Sequence, residues 1–251
     1  MSVYKKLFES KTENAHLIQL ENGHDYVVKF YKPTENKALI NEWIGYCLAR
    51  FMGLPVPKAE QIQLPETFFN QLPNRKGIIY TPHQFAVHYV PDCVNGHETT
   101  VGKIVNGEDL AKIILFDYWL CNLDRTRKNI LLKEKSDRVF FLYSIDQAEI
   151  FGSNAWTCDS LQTLPDTLLK SATHKIMASF IPNEQTFKEQ LEIIQTIPTQ
   201  FLEELFSFIP ADWPLTELEK EAALQVLNIR RFQVLPKLIP LFIKNIYRNA
   251  K

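Results

Sequence analysis

The chain has 251 residues, a formal net charge of -1, and 45% hydrophobic against 23% charged residues, the balance of an ordinary soluble globular protein. That length allows one large domain or two small lobes with substantial cores. The near-neutral charge excludes a global field that would recruit nucleic acid or an anionic membrane, so neither is expected as a partner. Cys47, Cys93, Cys121 and Cys158 are widely spaced and form no CxxC, which argues against a zinc site or a disulfide framework. Residues 1–17 hold no signal-peptide core, and no run reaches the roughly 18 apolar residues of a membrane span. The expectation is a soluble, cytoplasmic protein.

Residues 7–20 and 26–31 read as two strands joined by Glu21-Asn22-Gly23-His24, whose Asn-Gly is a strong hairpin signal. In the second strand, DYVVKFY, Lys29 lies between Val28 and Phe30, and the alternation is poor. A lysine within a short apolar strand is costly to bury unless its ammonium meets an anion; the alternative is an edge strand whose lysine faces solvent. Residues 39–52 form an amphipathic helix that Gly53, Pro55 and Pro57 bring to an end. Ile40, Ile44, Cys47, Leu48 and Phe51 make its apolar stripe, with Glu42 near the edge. A Lys29–Glu42 ion pair would aim the lysine at nucleotide phosphates. Otherwise Glu42 is a solvated residue of the first turn, favoured by the helix dipole.

Residues 59–64 read as a further strand and 65–77 as irregular. Residues 78–90 supply two apolar runs around Pro82; the second, HQFAVHYV, would lead to a connector whose backbone could meet an adenine edge. His83 and His88 read as ordinary strand histidines rather than metal ligands, because no acidic or histidine partner shares their spacing. Residues 91–107 are turn-rich and mark a boundary between an N-terminal lobe, 1–91, and a C-terminal lobe, 92–251. Residues 108–122 then give a helix apolar nearly all round, with Asp117 inside it. An unpaired carboxylate there would be costly, so Asp117 is expected to accept hydrogen bonds from the loop that follows.

The most informative stretch is FDYWLCNLDRTRKNILL, residues 116–132, followed by FFLYSIDQAEIFG, residues 140–152. A helix-length apolar run stops at a loop holding Asp124 and, five positions on, Asn129. Residues 130–132 and 140–145 read as the strands of a hairpin that brings Asp146 back beside Asn129. Three oxygen side chains in this pattern fit phosphoryl transfer. Asp124 would orient the acceptor hydroxyl and take its proton, while Asn129 and Asp146 would hold Mg²⁺ against nucleotide phosphates. Taken alone, Asp124 and Asn129 also suit a plain turn. After Gly152, helices are expected over 161–178, 186–196, 199–208 and 216–232, with a last one around Pro236 and Pro240. Strands first and helices last is the α+β segregation of a two-lobed, protein-kinase-like fold, with a small β-rich N-lobe and a larger, mainly helical C-lobe.

Lys29 on its strand, Glu42 in LINEWIGYCLARFMGLPVP, Asp124 and Asn129 in NLDRTRKN and Asp146 in YSIDQAE together resemble the HipA-like kinase family and, more remotely, phosphatidylinositol kinases. The resemblance implies that Lys29 is the phosphate-binding lysine, Glu42 its partner, Asp124 the catalytic base, and Asn129 and Asp146 the Mg²⁺ ligands. It also gives Lys128 the position of a loop lysine able to neutralise the transferring phosphoryl group. Two departures stand out. Thr126 occupies the place of a histidine, and residues 9–18, ESKTENAHLI, occupy the place of the phosphate-covering loop without a glycine. Ser10 and Thr12 are that loop's hydroxyls on the nucleotide side and candidate autophosphorylation sites. The implied activity is transfer of the γ-phosphoryl group of ATP, with Mg²⁺, to a serine or threonine of a protein substrate. The missing glycine suggests the alternative of a pseudokinase binding module, and related loops also serve small-molecule and lipid kinases.

Overall fold

A computed structural model describes residues 2–9 and 13–251. Strands β1 (Val3–Leu7), β2 (His16–Gln19), β3 (Asp25–Lys29), β4 (Ala59–Ile62) and β5 (Gln84–His88) form an antiparallel sheet in the order β1-β2-β3-β5-β4. The expected strand over 7–20 is therefore two strands. β1 lies earlier and pairs Leu7 with His16. The β2–β3 hairpin turns where Asn22-Gly23 predicts it: Gly23 takes φ 80°, a backbone open to glycine at no steric cost, and Asn22 accepts a hydrogen bond from the His24 amide.

Strand β3 alternates better than its letters suggest. Tyr26 and Val28 enter a small outer core with Ile18, Phe30, Phe69 and Ala86, so Lys29, one position out of phase, faces the opposite side of the sheet. That side is covered by helix α1 (Ala38–Phe51), which buries Leu39, Ile40, Ile44 and Leu48 in the main core. A short helix α2 (Glu66–Phe69) lies in the segment expected to be irregular.

Between His88 and Cys93 the chain passes from the first sheet to a second, in the order β6-β8-β9-β7. It comprises β6 (Cys93–Asn95), β7 (Lys103–Ile104), β8 (Ile130–Ser136) and β9 (Val139–Ser144). Helix α3 (Asp109–Leu120) runs beneath it and is buried from Leu110 to Leu120 save Lys112. Among the described residues the rest is helical: α4 (Cys158–Gln162), α5 (Ala172–Phe180), α6 (Gln185–Thr196), α7 (Thr199–Ser207), α8 (Glu217–Ile229) and α9 (Leu235–Phe242), with a π segment, Arg230–Val234, joining the last two. The single helix expected over 161–178 is broken into α4 and α5. Pro165 cannot donate a helical hydrogen bond, and Ser171 caps a fresh start by accepting from the His174 amide at 3.1 Å. The small β-rich lobe and larger helical lobe of a protein-kinase-like fold are thus both present.

His83 and His88 do find acidic partners, supplied from other elements. His83 Nδ1 lies 2.6 Å from Asp212 and His88 Nε2 lies 3.5 Å from Glu60. Sequence spacing could not reveal either, because the carboxylates arrive through the fold. Among the described residues no helix is long and apolar enough to cross a membrane.

Candidate active site

The loop after α3 is held from below. Cys121 ends the helix in the left-handed conformation, φ 52°, which reverses the chain into Asn122-Leu123-Asp124. Asp117, fully buried one turn back, accepts two hydrogen bonds from Arg125, both at 2.9 Å, one from Asn122 at 3.1 Å and one from His174 Nε2 at 2.8 Å. Burial alone would raise its pKa; Arg125 and His174 outweigh that and hold the carboxyl below the ordinary aspartate range. Arg125 also donates to the carbonyls of Asn129 at 2.9 Å and Ile145 at 2.6 Å and to Gln147 Oε1 at 3.0 Å. One planar guanidinium thus ties together helix, loop and the turn after β9.

On this base the candidate residues fall into two groups. Asn129, at the end of the 3-10 turn Arg127–Asn129, donates to the Asp124 carbonyl at 2.5 Å and to Asp124 Oδ2 at 3.1 Å. Asp124 itself is half-buried, with its carboxylate oriented by that amide. Across the hairpin, Ile130 pairs with Ser144 and the Ile145 amide donates to the Asn129 carbonyl at 3.1 Å, so Asp146 follows directly beside Asn129. Asp146 takes φ 62°, a strained backbone for an aspartate, which turns its side chain out of the strand line and toward β3.

There Lys29 Nζ meets Asp146 Oδ1 at 2.9 Å and also pairs with Glu42 of α1. The second Glu42 oxygen accepts from the Gln147 amide at 3.0 Å. Burial works to lower the Lys29 pKa, but the two carboxylates more than offset it and the ammonium is held charged. Burial raises Glu42 to about 7, with Lys29 opposing. Asp146 goes the other way, to about 2, because the Lys29 ammonium outweighs its desolvation. Gly45, one turn along α1 from Glu42, is what allows the approach: a Cβ there would lie 2.6 Å from the Gln147 Cβ. Beside this cluster an apolar cleft with about 290 Å³ of open space is lined by Val56, Ala59, Phe85, Val87 and Ile145, with Glu42 and Asp146 at one end.

A model of the HipA-like kinase family matches residues 1–236. The chain belongs to that family. Among solved structures, it is similar to the Helicobacter pylori proinflammatory kinase CtkA at 14% identity and a TM-score of 0.61, over 98% of this chain and 94% of that one. HipA of Shewanella oneidensis MR-1, solved with HipB and operator DNA, matches at 14% identity and a TM-score of 0.49; all of this chain spans 66% of it. The Rio2 kinase of Chaetomium thermophilum matches at 14% identity and 0.40, over 98% and 71% of the two chains. No curated protein sequence matches. At such identities the likeness to solved structures concerns the fold, and the family match identifies a kinase.

Of the residues that sequence analysis of this HipA-like kinase singles out, Lys29, Glu42 and Asp146 meet directly, and Asp124 and Asn129 form the adjacent pair. Lys128 is exposed in the 3-10 turn and makes no ion pair within the described residues. Ser10 and Thr12 lie outside the described residues. Arg125, Gln147 and His174 were not singled out. Arg125 had a signal, since a buried Asp117 one turn before the loop requires a cation; His174 had none, as it arrives from α5, 57 residues away.

Proposed function

We propose that this HipA-like kinase transfers the γ-phosphoryl group of ATP, in a Mg²⁺-dependent reaction, to the hydroxyl of a serine or threonine in a protein. The observation that supports this best is the position of Lys29 Nζ between Glu42 and Asp146. Strand β3, helix α1 and the turn more than a hundred residues later converge there, and an ammonium so fixed is the phosphate-anchoring arrangement that kinases require.

The donor chemistry fits a hard cation. Mg²⁺ takes oxygen ligands and is commonly held by one or two protein carboxylates, with phosphates and water completing the shell. Asn129 spends its amide nitrogen on Asp124, and its Oδ1 accepts no hydrogen bond among the described residues. With the carboxylate of Asp146, whose side chain is 37% exposed, it would hold the metal. Among the described residues no group of three or more His, Cys, Asp or Glu side chains is placed to hold a metal ion, so nucleotide phosphates and water would have to supply the remaining ligands. The bound ion supplies neutralisation of phosphate charge.

Lys29 Nζ, anchored by Glu42, would bind phosphate oxygens, and the cleft between Val56, Phe85 and Ile145 would receive the base. Asp124, oriented by Asn129 Nδ2, would accept the acceptor's hydroxyl proton on its carboxylate as the oxygen attacks. Lys128 stands in the same loop and would meet charge on the transferring group.

The test is single-turnover transfer from radiolabelled ATP in the presence of Mg²⁺, with the chain itself and serine or threonine peptides as acceptors. Asp124→Ala should lower the rate by about 10²- to 10⁴-fold, the range of a lost general base. An unchanged rate would remove Asp124 from the chemistry. The glycine-free segment 9–18 favours a second reading, a weak nucleotide binder that serves as a binding module. Absence of Mg²⁺-dependent ATP binding in calorimetry would select it.

A further inference from the structure

The pairing of Glu42 with Lys29 depends on helix α1 sitting at one depth and one rotation, and the residue before Glu42 is hydrogen-bonded to the segment that leaves Asp146. Asn41 is fully buried. Its Nδ2 donates to the carbonyls of Ala148 at 2.6 Å, Ser153 at 3.0 Å and Ile150 at 3.1 Å, and its Oδ1 accepts from Trp156 Nε1 at 2.8 Å. The three carbonyls belong to the segment that leaves Asp146. That segment turns them inward through left-handed Phe151, φ 59°, and Gly152, φ 79°. Buried carbonyls and a buried indole N–H each need a partner, and an unpaired one costs free energy comparable to a lost hydrogen bond. Only a short amide serves both kinds here. Aspartate has no donor, leucine has neither donor nor acceptor, and glutamine is one methylene too long.

We propose that Asn41 is a positioning residue: it clamps helix α1 to the 148–156 segment so that Glu42 faces Lys29. The assignment rests on the kinase reading only for its catalytic consequence; the clamp itself is a statement about geometry. A second anchor works from the same end of the helix. Lys37, just before α1, donates its amide to the Asn154 carbonyl at 2.8 Å and its Nζ to the Pro214 carbonyl and Glu219, each at 2.8 Å. Lys37 alone does not set the rotation, because it precedes the first helical turn. Asn41, one turn further and adjacent to Glu42, does.

The clamp is read through the chemistry of Lys29, independently of activity. An amine whose ammonium is locked between two carboxylates acylates slowly with an N-hydroxysuccinimide ester, and releasing it speeds the reaction. Mass spectrometry of the full chain should show Lys29 of Asn41→Leu acylated severalfold faster than wild type, because Glu42 no longer holds its amine in place. In a Glu42→Gln background the same substitution should add less than about twofold, because residues acting through one interaction are not additive. Trp156→Phe keeps the ring and removes only the indole donor, so it should move Lys29 in the same direction by less; it carries the test if Asn41→Leu fails to fold. Unchanged Lys29 acylation in either folded variant, or an additive effect beside Glu42→Gln, would overturn the proposal and leave Asn41 as ordinary packing.

Transfer from ATP gives the second readout. A catalytic group displaced by a distant substitution costs about 10²-fold, so Asn41→Leu should lose up to that in kcat with a smaller change in KM. If Lys29 is released as expected while kcat holds, the clamp stands and the catalytic reading of Lys29 fails.

Discussion

The site contains two triads, one built on a carboxylate and one on an ammonium, and their difference separates scaffold from chemistry. In one, a single carboxylate, Asp117, serves Arg125 and His174, all fully buried, and the carboxylate is saturated with hydrogen bonds. In the other, a single ammonium, Lys29, serves Glu42 and Asp146, of which Asp146 remains open to the cleft. The first holds a loop in shape and offers nothing to a ligand. The second carries an excess of acid: burial lifts Glu42 to about 7 while Asp146 stays ionised, an arrangement that a bound cation would relieve. Ion-paired acids and bases thus do opposite work in the two places, decided by access to solvent.

The sharpest way to break this division is at the saturated triad. Arg125→Ala leaves Asp117 buried with its strongest partner gone, and chemical denaturation should register a loss of about 3 to 5 kcal/mol, the usual consequence of stranding one half of a buried pair. Loss of activity with full stability would instead place Arg125 among the groups that meet substrate.

Away from both triads, His16 supplies a contrast of a third kind: a fully buried histidine with neither ring nitrogen partnered among the described residues, its pKa pushed by burial down to about 4. Its folded pKa lies below the unfolded value of about 6.5, so the unfolded chain binds more protons between the two. The stability it contributes is therefore complete above about pH 6.5 and is lost as pH falls toward about 4. Across that window the loss should approach about 3 kcal/mol, and His16→Phe should flatten the slope. A slope that survives His16→Phe belongs to other groups. Asp117 and Asp146, whose pKa values are depressed, act lower: their stabilisation is present above about pH 4 and fades below it.

The mildest perturbation is Gly45→Ala. A methyl 2.6 Å from the Gln147 Cβ overpacks the contact between α1 and the turn after Asp146, at about 1 to 3 kcal/mol. It should disturb the open triad and spare the saturated one, which a proton-resolved spectrum of His174 against Lys29 acylation would show. Disturbance of His174 first would mean that the two triads are not separate units.

Much of the open triad was legible in sequence because it rests on local rules. Lys29 stood out as a charge in a strand, Glu42 as an acid at the edge of an amphipathic helix, and Asp146 as the end of a hairpin. The saturated triad was half legible: Asp117 demanded a partner, but His174 depends on Ser171 restarting a helix after Pro165, where periodicity read one unbroken helix. The partners of His83 and His88 were hidden for the same reason, since Asp212 and Glu60 reach them only through tertiary folding. Asn41 reads in sequence as a polar residue on a helix; three inward carbonyls and one indole reveal its part.

The most direct test of the open triad as the nucleotide and metal end is calorimetric titration with ATP, with and without Mg²⁺, of the wild-type chain and of Asp146→Asn, which keeps the side chain's size. Wild type should bind ATP more tightly with Mg²⁺ present, and Asp146→Asn should lose that dependence while remaining folded. Equal Mg²⁺ dependence in the two proteins would contradict the account.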